Sequence, residues 1–233
     1  MIHAFNFTCN RDAALSELME TTLYKYCKKE VRLKVINTDT NAEYAGYGNG
    51  SGYPQGMLKI HYLRSIAAQL KDDDWCMSVD SDVVFCNGDV FDQLDPAYGI
   101  IGILGHQPWD TVYGKKSWAH MSGCLIFLRG DIVKEMCSWS DEAFERIRQE
   151  QFKGCGITEN EDVMLSYFAM LCRASQKDVS GLTSGDFEGT CKDEYHKFAS
   201  FYHLNYCPTQ FLGDPVDGKW DIPAVLKQKG IEL

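Results

Sequence analysis

Asp80 and Asp82 stand one residue apart at the end of the apolar run Trp75-Cys76-Met77-Ser78-Val79, and the chain turns apolar again at Val83-Val84-Phe85. Runs of about 4–8 apolar residues bounded by polar turns read as buried strands, and a parallel strand covered on both faces loses its polar alternation. If the backbone stays extended through Ser81, the two-residue period of a strand puts both carboxylates on one side. Neighbouring acids repel unless positive charge lies between them, and a divalent cation with oxygen ligands is the natural partner. The competing reading is that Asp-x-Asp pairs arise by chance, as solvated turn residues or helix caps. An EF-hand loop does not fit, because the apolar run separates Asp72-Asp73-Asp74 from Asp80 and no loop glycine follows. The strand context favours a metal.

The elements that must position this pair can be read from periodicity. Ile2 to Thr8 is a first strand, Asp12 caps a helix to about Cys27 with Leu15, Leu18, Met19 and Leu23 on one face, and Arg32 to Asn37 is a second strand. A β-α-β start predicts an α/β fold with a mostly parallel central sheet flanked by helices. Ligands of such sheets sit beyond the carboxyl ends of the strands. Thr8, Cys9, Asn10 and Asn37 to Asp39 are therefore expected at the edge that carries Asp80 and Asp82, although each alone also suits an ordinary turn. Glycines 46, 48, 50, 52 and 56 alternate with Tyr44, Tyr47 and Tyr53 without any Gly-x-Gly-x-x-Gly register, so a dinucleotide fingerprint is not supported. That stretch is either a loop beside the site or a plain connector.

Pro54 is suited to open a helix running to about Leu70, with Leu63, Ile66, Ala67 and Leu70 as its apolar stripe. Lys59 lies roughly 17 Å back along that helix from Leu70, and Asp80 lies about as far along the strand from Trp75. Lys59 is thus level with the acids, unless it merely snorkels to solvent. Further on, Asn87 caps a short helix to Leu94, Ile100 to Leu104 is a strand, and a loop carries His106, Trp109 and Trp118. Met121 to Leu128 is a strand entered through Ser122-Gly123, where a glycine lets another group approach the backbone. Asp131 to about Glu150 reads as one helix. Thr158-Glu159-Asn160-Glu161 matches a capping box ahead of a helix to Cys172; it commits Glu161 to structure and leaves Asp162 as the better candidate for chemistry. Phe198 to His203 is a late strand ending in a histidine, a residue type that ligates metals well. Asp221-Ile222-Pro223 opens a last helix to about Gly230.

Composition bounds the function. The 233 residues carry a net charge of −10, which argues against partners such as nucleic acid or an anionic membrane surface. None of the apolar runs approaches the length of a membrane span. The ten cysteines include no Cys-x-x-Cys pair and no zinc spacing. With no leader sequence evident, they are expected to be reduced thiols of a cytoplasmic protein. No linker or repeat divides the chain, which implies one domain.

Taken in order, these motifs resemble the donor-site core of GT-A-type glycosyltransferases, and in layout the glycogenin-like group. The resemblance spans about residues 2 to 220. It rests on the Lys59 helix, Asp80-Ser81-Asp82, Asn87-Gly88-Asp89-Val90-Phe91-Asp92-Gln93-Leu94, Ser122-Gly123-Cys124, Glu161-Asp162-Val163-Met164-Leu165, His203 and Gly218-Lys219-Trp220. It implies a single GT-A-type domain over 1–233, with a nucleotide-binding half at 1–95 and an acceptor-binding half at 96–233. Mn²⁺ or Mg²⁺ would be held by Asp80, Asp82 and His203. A UDP-sugar would be held by Asp80 and Ser81, with Lys59 and Lys219 at its diphosphate and Thr8, Asn10 and Asp39 at its nucleotide. The acceptor would be a carbohydrate or other hydroxyl. Asp162, with Glu161, would deprotonate that hydroxyl in an inverting reaction, or position the sugar and stabilise its cationic centre in a retaining one. The sequence departs from the group twice: the interval from His203 to Lys219 is long, and the acidic motif reads Glu-Asp where Asp-Gln is usual. The second departure also resembles inverting GT-A enzymes, so both stereochemical outcomes stay open. Asp80-Ser81-Asp82-Val83-Val84 also resembles the nucleophile motif of haloacid-dehalogenase-type phosphatases, whose motif lies on the first strand. A catalytically silent nucleotide-sugar-binding module is the third reading.

Overall fold

The structure, a computed structural model, describes residues 1–44, 53–111, 114–154, 157, 159–184, 200–203, 224 and 227. The chain opens with β1 (Ile2–Thr8), α1 (Ala13–Tyr26) and β2 (Val31–Asn37), followed by α2 (Tyr53–Ala67), β3 (Trp75–Val79), β4 (Val83–Phe85) and the short α3 (Asp89–Asp92). A long hairpin, β5 (Ile100–Thr111) and β6 (Gly114–Arg129), leads to α4 (Gly130–Cys137), α5 (Asp141–Ile147), α6 (Glu161–Leu171), β7 (Gln176–Asp178), β8 (Thr183–Ser184) and β9 (Phe201–His203).

Six strands form one sheet in the order β2-β1-β3-β6-β5-β7. β2, β1 and β3 are mutually parallel, so their carboxyl ends share an edge. β6 runs antiparallel to β3, pairing Val79 with Leu125, and therefore delivers Ser122-Gly123-Cys124 to that same edge. Strand periodicity splits the apolar residues between two cores. Ile2, Ala4, Met77, Val79, Leu125 and Phe127 face the side covered by Met19 and Leu23 of α1. Phe5, Cys76, Ile126 and Leu128 face Leu58 and Leu63 of α2, Val133 of α4 and Phe168 of α6. A large apolar side chain buried on either face contributes about 1.5–3 kcal/mol relative to exposure.

The apolar stretch 75–85 is not one strand. β3 ends at Val79, the Val83 N–H donates to the Asp80 carbonyl at 3.3 Å, and the chain enters a second sheet of order β4-β9-β8. There Val83 pairs with His203. The two aspartates thus lie in the turn between two sheets, and tight turning rather than strand pleat brings them to one side.

Other expectations are corrected in the same way. Residues around His106, Trp109 and Trp118 pair as the β5–β6 hairpin, Gln107 opposite Trp118, rather than forming a loop. Gly105, Pro108 and Gly114 read locally as turn residues, and cross-strand pairing overrides them. The helix expected over 131–150 breaks at Ser138–Ser140, where Ser140 caps α5 by accepting from the Ala143 N–H and Arg64 donates to the Trp139 carbonyl. The Asp12 carboxylate does not cap α1; it takes hydrogen bonds from Arg11 and Cys9. Pro54 is the second residue of α2, not its first. Asn87 is not the cap of α3, which starts after Gly88 and ends at Asp92 rather than Leu94; the Asn87 Oδ1 instead accepts from the Asp89 N–H across a turn. Of the expected last helix, only Ala224 and Lys227 are among the described residues.

The junction at the end of β3 is held by one buried amide. Asn6 of β1 is 0% exposed. Its side-chain N–H donates to the Val79 carbonyl at 2.8 Å and reaches the Ser81 hydroxyl at 3.2 Å, while its Oδ1 accepts from Ser16 of α1 at 2.7 Å. Removing it strands a buried carbonyl and a buried hydroxyl. Asn6→Ala should lower unfolding free energy by about 1–3 kcal/mol per group left unsatisfied, read as a shift in urea midpoint at constant slope. An unchanged midpoint would show that the amide does not hold the junction.

Candidate active site

Two carboxylates and an imidazole converge where the two sheets meet. One ligand atom from each of Asp80, Asp82 and His203 lies within 4.8 Å of the others. The backbone fixes them: the Asp80 N–H donates to the Cys124 carbonyl at 2.9 Å, and the β4–β9 pairing sets His203 opposite Val83. His203 Nε2 is 3.4 Å from Asp82 Oδ1. Burial opposes a proton on His203, but the hydrogen bond and charge of Asp82, helped by Asp80, outweigh it and raise the imidazole pKa. Burial pushes the Asp80 carboxyl up to about 6, with Asp82 and Glu161 adding to the rise and Lys59 and His203 opposing it. Two carboxylates and an imidazole form a hard, oxygen-rich donor set that fits Mn²⁺ or Mg²⁺, and the upward shift of Asp80 comes first from its burial, with the neighbouring acids adding to it.

A second group faces this one. Lys59, buried on α2, has its Nζ 3.9 Å from Glu161 Oε1 and makes no hydrogen bond among the described residues. The estimate that the helix register places Lys59 level with Asp80 agrees with its charge being felt there. α6 starts at Glu161 with Asn160 as its cap. Glu161 is therefore the first helical residue, not the third, and cannot complete a capping box; Thr158 lies outside the described residues. Asp162 Oδ2 accepts from the Gly123 N–H at 3.3 Å and lies 3.6 Å from His120 Nε2, while its Oδ1 accepts from the Val163 N–H at 2.7 Å. Burial alone would raise the Asp162 carboxyl; His120, the Val163 amide and Lys59 outweigh it, and the group sits below its ordinary value. Gly123 is small for a reason: a Cβ there would lie 3.0 Å from Glu161 Oε1 and 3.2 Å from Asp162 Cβ.

At the same sheet edge, Thr8 and Asn37 are register partners at the ends of β1 and β2. The Thr8 carbonyl accepts from Thr38, the Asn10 N–H donates to Asp39 Oδ2 at 2.7 Å, and Asn37 joins Asn10. The structure thus brings Thr8, Asn10 and Asp39 together, and Asp80, Ser81, Asp82, His203, Lys59, Glu161 and Asp162 together. Lys219 lies outside the described residues. Sequence reasoning passed over Asn6, His120 and Ser200. Ser200 accepts from the Val90 N–H at 2.9 Å and its carbonyl takes the Cys86 N–H, which ties α3 to the His203 strand. A lone asparagine inside an otherwise apolar first strand was the available signal for Asn6.

No protein-family model matches this sequence, and no curated protein sequence does. Solved structures do. Mouse xyloside xylosyltransferase 1 superposes at a TM-score of 0.50 with 8% identity, over 88% of this chain and 98% of that one. A glycosyltransferase involved in glycosylating the major capsid of PBCV-1 matches at 0.52 with 13% identity, over 90% and 95%. The galactosyltransferase LgtC, in complex with donor and acceptor sugar analogues, matches at 0.52 with 11% identity, over 99% and 95%. These are GT-A glycosyltransferases, glycogenin-like members among them. The fold is GT-A. The chain is a single α/β domain whose six-stranded, mostly parallel sheet is flanked by helices, and Asp80, Asp82 and His203 form a group that could hold a metal ion. The seven cysteines among the described residues are free thiols, and no helix among those residues is long and apolar enough to cross a membrane.

The Asp80 titration has a measurable consequence. A metal needs the carboxylate, so protons compete with it below about pH 6. Mn²⁺ affinity measured by calorimetry should fall by about tenfold between pH 7 and pH 5 if one proton is displaced, and further if the His203 proton also leaves. The metal-free protein should show the opposite linkage. Its folded state holds the Asp80 proton more tightly than the unfolded chain, so stability drops as pH rises from 3.8 to about 6. Flat Mn²⁺ affinity over this range would remove Asp80 from the ligand set.

Proposed function

We propose that this protein is a metal-dependent glycosyltransferase that moves a sugar from a nucleotide-diphosphate sugar, a UDP-sugar by preference, to a hydroxyl of a carbohydrate or similar acceptor, and that it works in the cytoplasm. The observation that carries the reading is the convergence of Asp80, Asp82 and His203 at the carboxyl edge of a GT-A sheet. Bound there, Mn²⁺ or Mg²⁺ would neutralise the charge that develops on the departing diphosphate. The chain's own residues do the rest. Lys59, and Lys219 from outside the described residues, add positive charge beside the diphosphate. Thr8, Asn10 and Asp39, with Ser81, hold the nucleotide at the ends of β1, β2 and β3, and residues 96–233 supply the acceptor side.

The environment of Asp162 supports the retaining alternative. A general base works best with a pKa near the operating pH, whereas Asp162 is held below its ordinary value as a hydrogen-bonded anion. Such a group is suited to positioning the sugar and stabilising positive charge at its reacting carbon. Glu161 shares this surface with Lys59 and tunes it. The phosphatase reading has less support, because Asp80 follows the third strand of the sheet and the matched solved structures are glycosyltransferases.

Thermal-shift screening of UDP-sugars with and without Mn²⁺ tests the reading, since a donor bound to the native state raises the melting temperature; equal shifts in excess chelator would sink the metal. Asp82→Asn should abolish metal-dependent donor binding and turnover together. Asp162→Asn should leave donor affinity nearly intact and cut turnover by roughly 10²–10³-fold, the range for losing one electrostatic stabilising group, with the unaltered protein's product anomeric configuration, read by proton NMR, matching that of the donor. Loss of metal binding in Asp162→Asn but not in Asp82→Asn would place the metal elsewhere.

A further inference from the structure

Resting on that reading, we propose that His120 of β6 is a positioning residue that fixes the Asp162 carboxylate, and that Gly105 on the neighbouring strand provides the room its imidazole needs. His120 Nε2 lies 3.6 Å from Asp162 Oδ2, the oxygen that also accepts from the Gly123 N–H. The imidazole is buried, 7% exposed, so its attraction to the carboxylate is screened far less than a surface pair would be. Gly105 of β5 stands directly opposite His120 in the hairpin register. A Cβ at Gly105 would come within 3.0 Å of the imidazole Cε1 and 3.1 Å of Nε2. Those distances are tighter than ordinary van der Waals contact, so a side chain at 105 must displace the ring or be displaced by it.

The arrangement has the form of a carboxylate gripped at both oxygens. The Val163 N–H donates to Oδ1 and the Gly123 N–H to Oδ2, and His120 Nε2 stands 3.6 Å from Oδ2. Both of those donors are backbone N–H groups that a side-chain substitution does not remove. The titratable groups that face Asp162 are His120 from β6, Lys59 from α2 and Glu161 beside it on α6, and Lys59 is itself engaged with Glu161 at 3.9 Å. His120 is therefore the side chain that sets both the direction of the carboxylate and its ionisation. Burial pushes the Asp162 carboxyl up, and the nearby His120 imidazole is the first influence that brings it down. Without the imidazole the carboxyl should swing away from Gly123 and hold its proton to higher pH. A misplacement of this size at a reacting centre can lower turnover by about 10²-fold.

The test uses His120→Phe, which fills the space without a donor, His120→Gln, whose amide restores an N–H at the same reach, and Gly105→Ala, which crowds the ring from the opposite strand. Two readouts are taken on the full chain: the side-chain carboxyl titration of Asp162 by carbon NMR without ligand, and kcat against pH with a saturating UDP-sugar and Mn²⁺. In His120→Phe the carboxyl titration and the acid limb of kcat should both move to higher pH, with kcat down by about 10²-fold and donor affinity unchanged. Gly105→Ala should move both in the same direction by less, and His120→Gln should recover most of the loss. An Asp162 titration that stays put in His120→Phe overturns the proposal, as does a kcat loss equal in the Phe and Gln variants with no shift of the acid limb. If no nucleotide sugar turns over in the unaltered protein, the glycosyltransferase reading fails on its own, and the carboxyl titration still decides whether His120 governs Asp162.

Discussion

Four carboxylates, Asp80, Asp82, Glu161 and Asp162, gather at one edge of the sheet, and their mutual repulsion is the constraint on which the local structure depends. Two unit charges 4 Å apart repel by about 4 kcal/mol at the effective dielectric of a partly buried site, a large share of the stability of an ordinary domain. The fold answers each charge with a specific partner. His203 stands against Asp82, Lys59 against Glu161, and His120 against Asp162. Asp80 is the most heavily desolvated of them, and burial, more than the nearby acids, pushes its carboxyl up to about 6 against the pull of Lys59 and His203. A divalent cation between Asp80 and Asp82 would relieve what the protein alone does not.

Those partners come from distant parts of the chain, and topology brings them together. The parallel block β2-β1-β3 presents its carboxyl ends at the site, while β6, running the other way, brings its small residues to meet them. Leaving the main sheet after Val79 lets β4 pair with β9 and carry His203 in from far along the sequence. Asn6 makes this departure possible. Its amide satisfies the Val79 carbonyl where the strand pairing stops, and Ser16 satisfies its oxygen in turn. A buried polar network with every member partnered adds specificity, whereas one with a member missing costs more than an apolar core. At this junction Asn6, Ser16 and the Val79 carbonyl satisfy one another.

Much of this was legible in the sequence, and the physical reason is that the site lies at the ends of strands with strong apolar patterns. The opening β-α-β unit, the run into Asp80, the helix carrying Lys59 and the late strand into His203 all follow from periodicity, and helix and strand rises sufficed to level Lys59 with the acids. What was not legible depended on pairing between distant segments. The β5–β6 hairpin through Gly105 and Pro108 contradicts local turn chemistry and exists because each strand completes the other. Glu161 fitted a capping box by spacing, yet the helix starts at that residue and its carboxylate turns to Lys59. His120 carries no motif. Its importance comes from lying opposite a glycine on one strand and beside an aspartate on a helix, neither of which a linear pattern records.

The same comparison bears on how the two acids of the Glu-Asp motif divide their work. Spacing suggested one residue for the helix start and one for chemistry, and the geometry gives the two carboxylates different partners. Glu161, one position earlier, projects toward Lys59 and so belongs to the charge balance around Asp80. Asp162 turns back onto its own helix start and onto Gly123, where backbone N–H groups hold it as an anion. Helix N-termini favour negative charge because their first N–H groups lack partners, so a carboxylate at this position is stabilised in its ionised form by the element that carries it. A proton acceptor gains nothing from that stabilisation, since what lowers its pKa weakens it as a base. A fixed negative charge beside an electron-poor sugar carbon gains everything from it. The helix start, the small strand residues and the buried imidazole therefore all favour Asp162 as a positioned anion, which is the property the proposed retaining reaction asks of it.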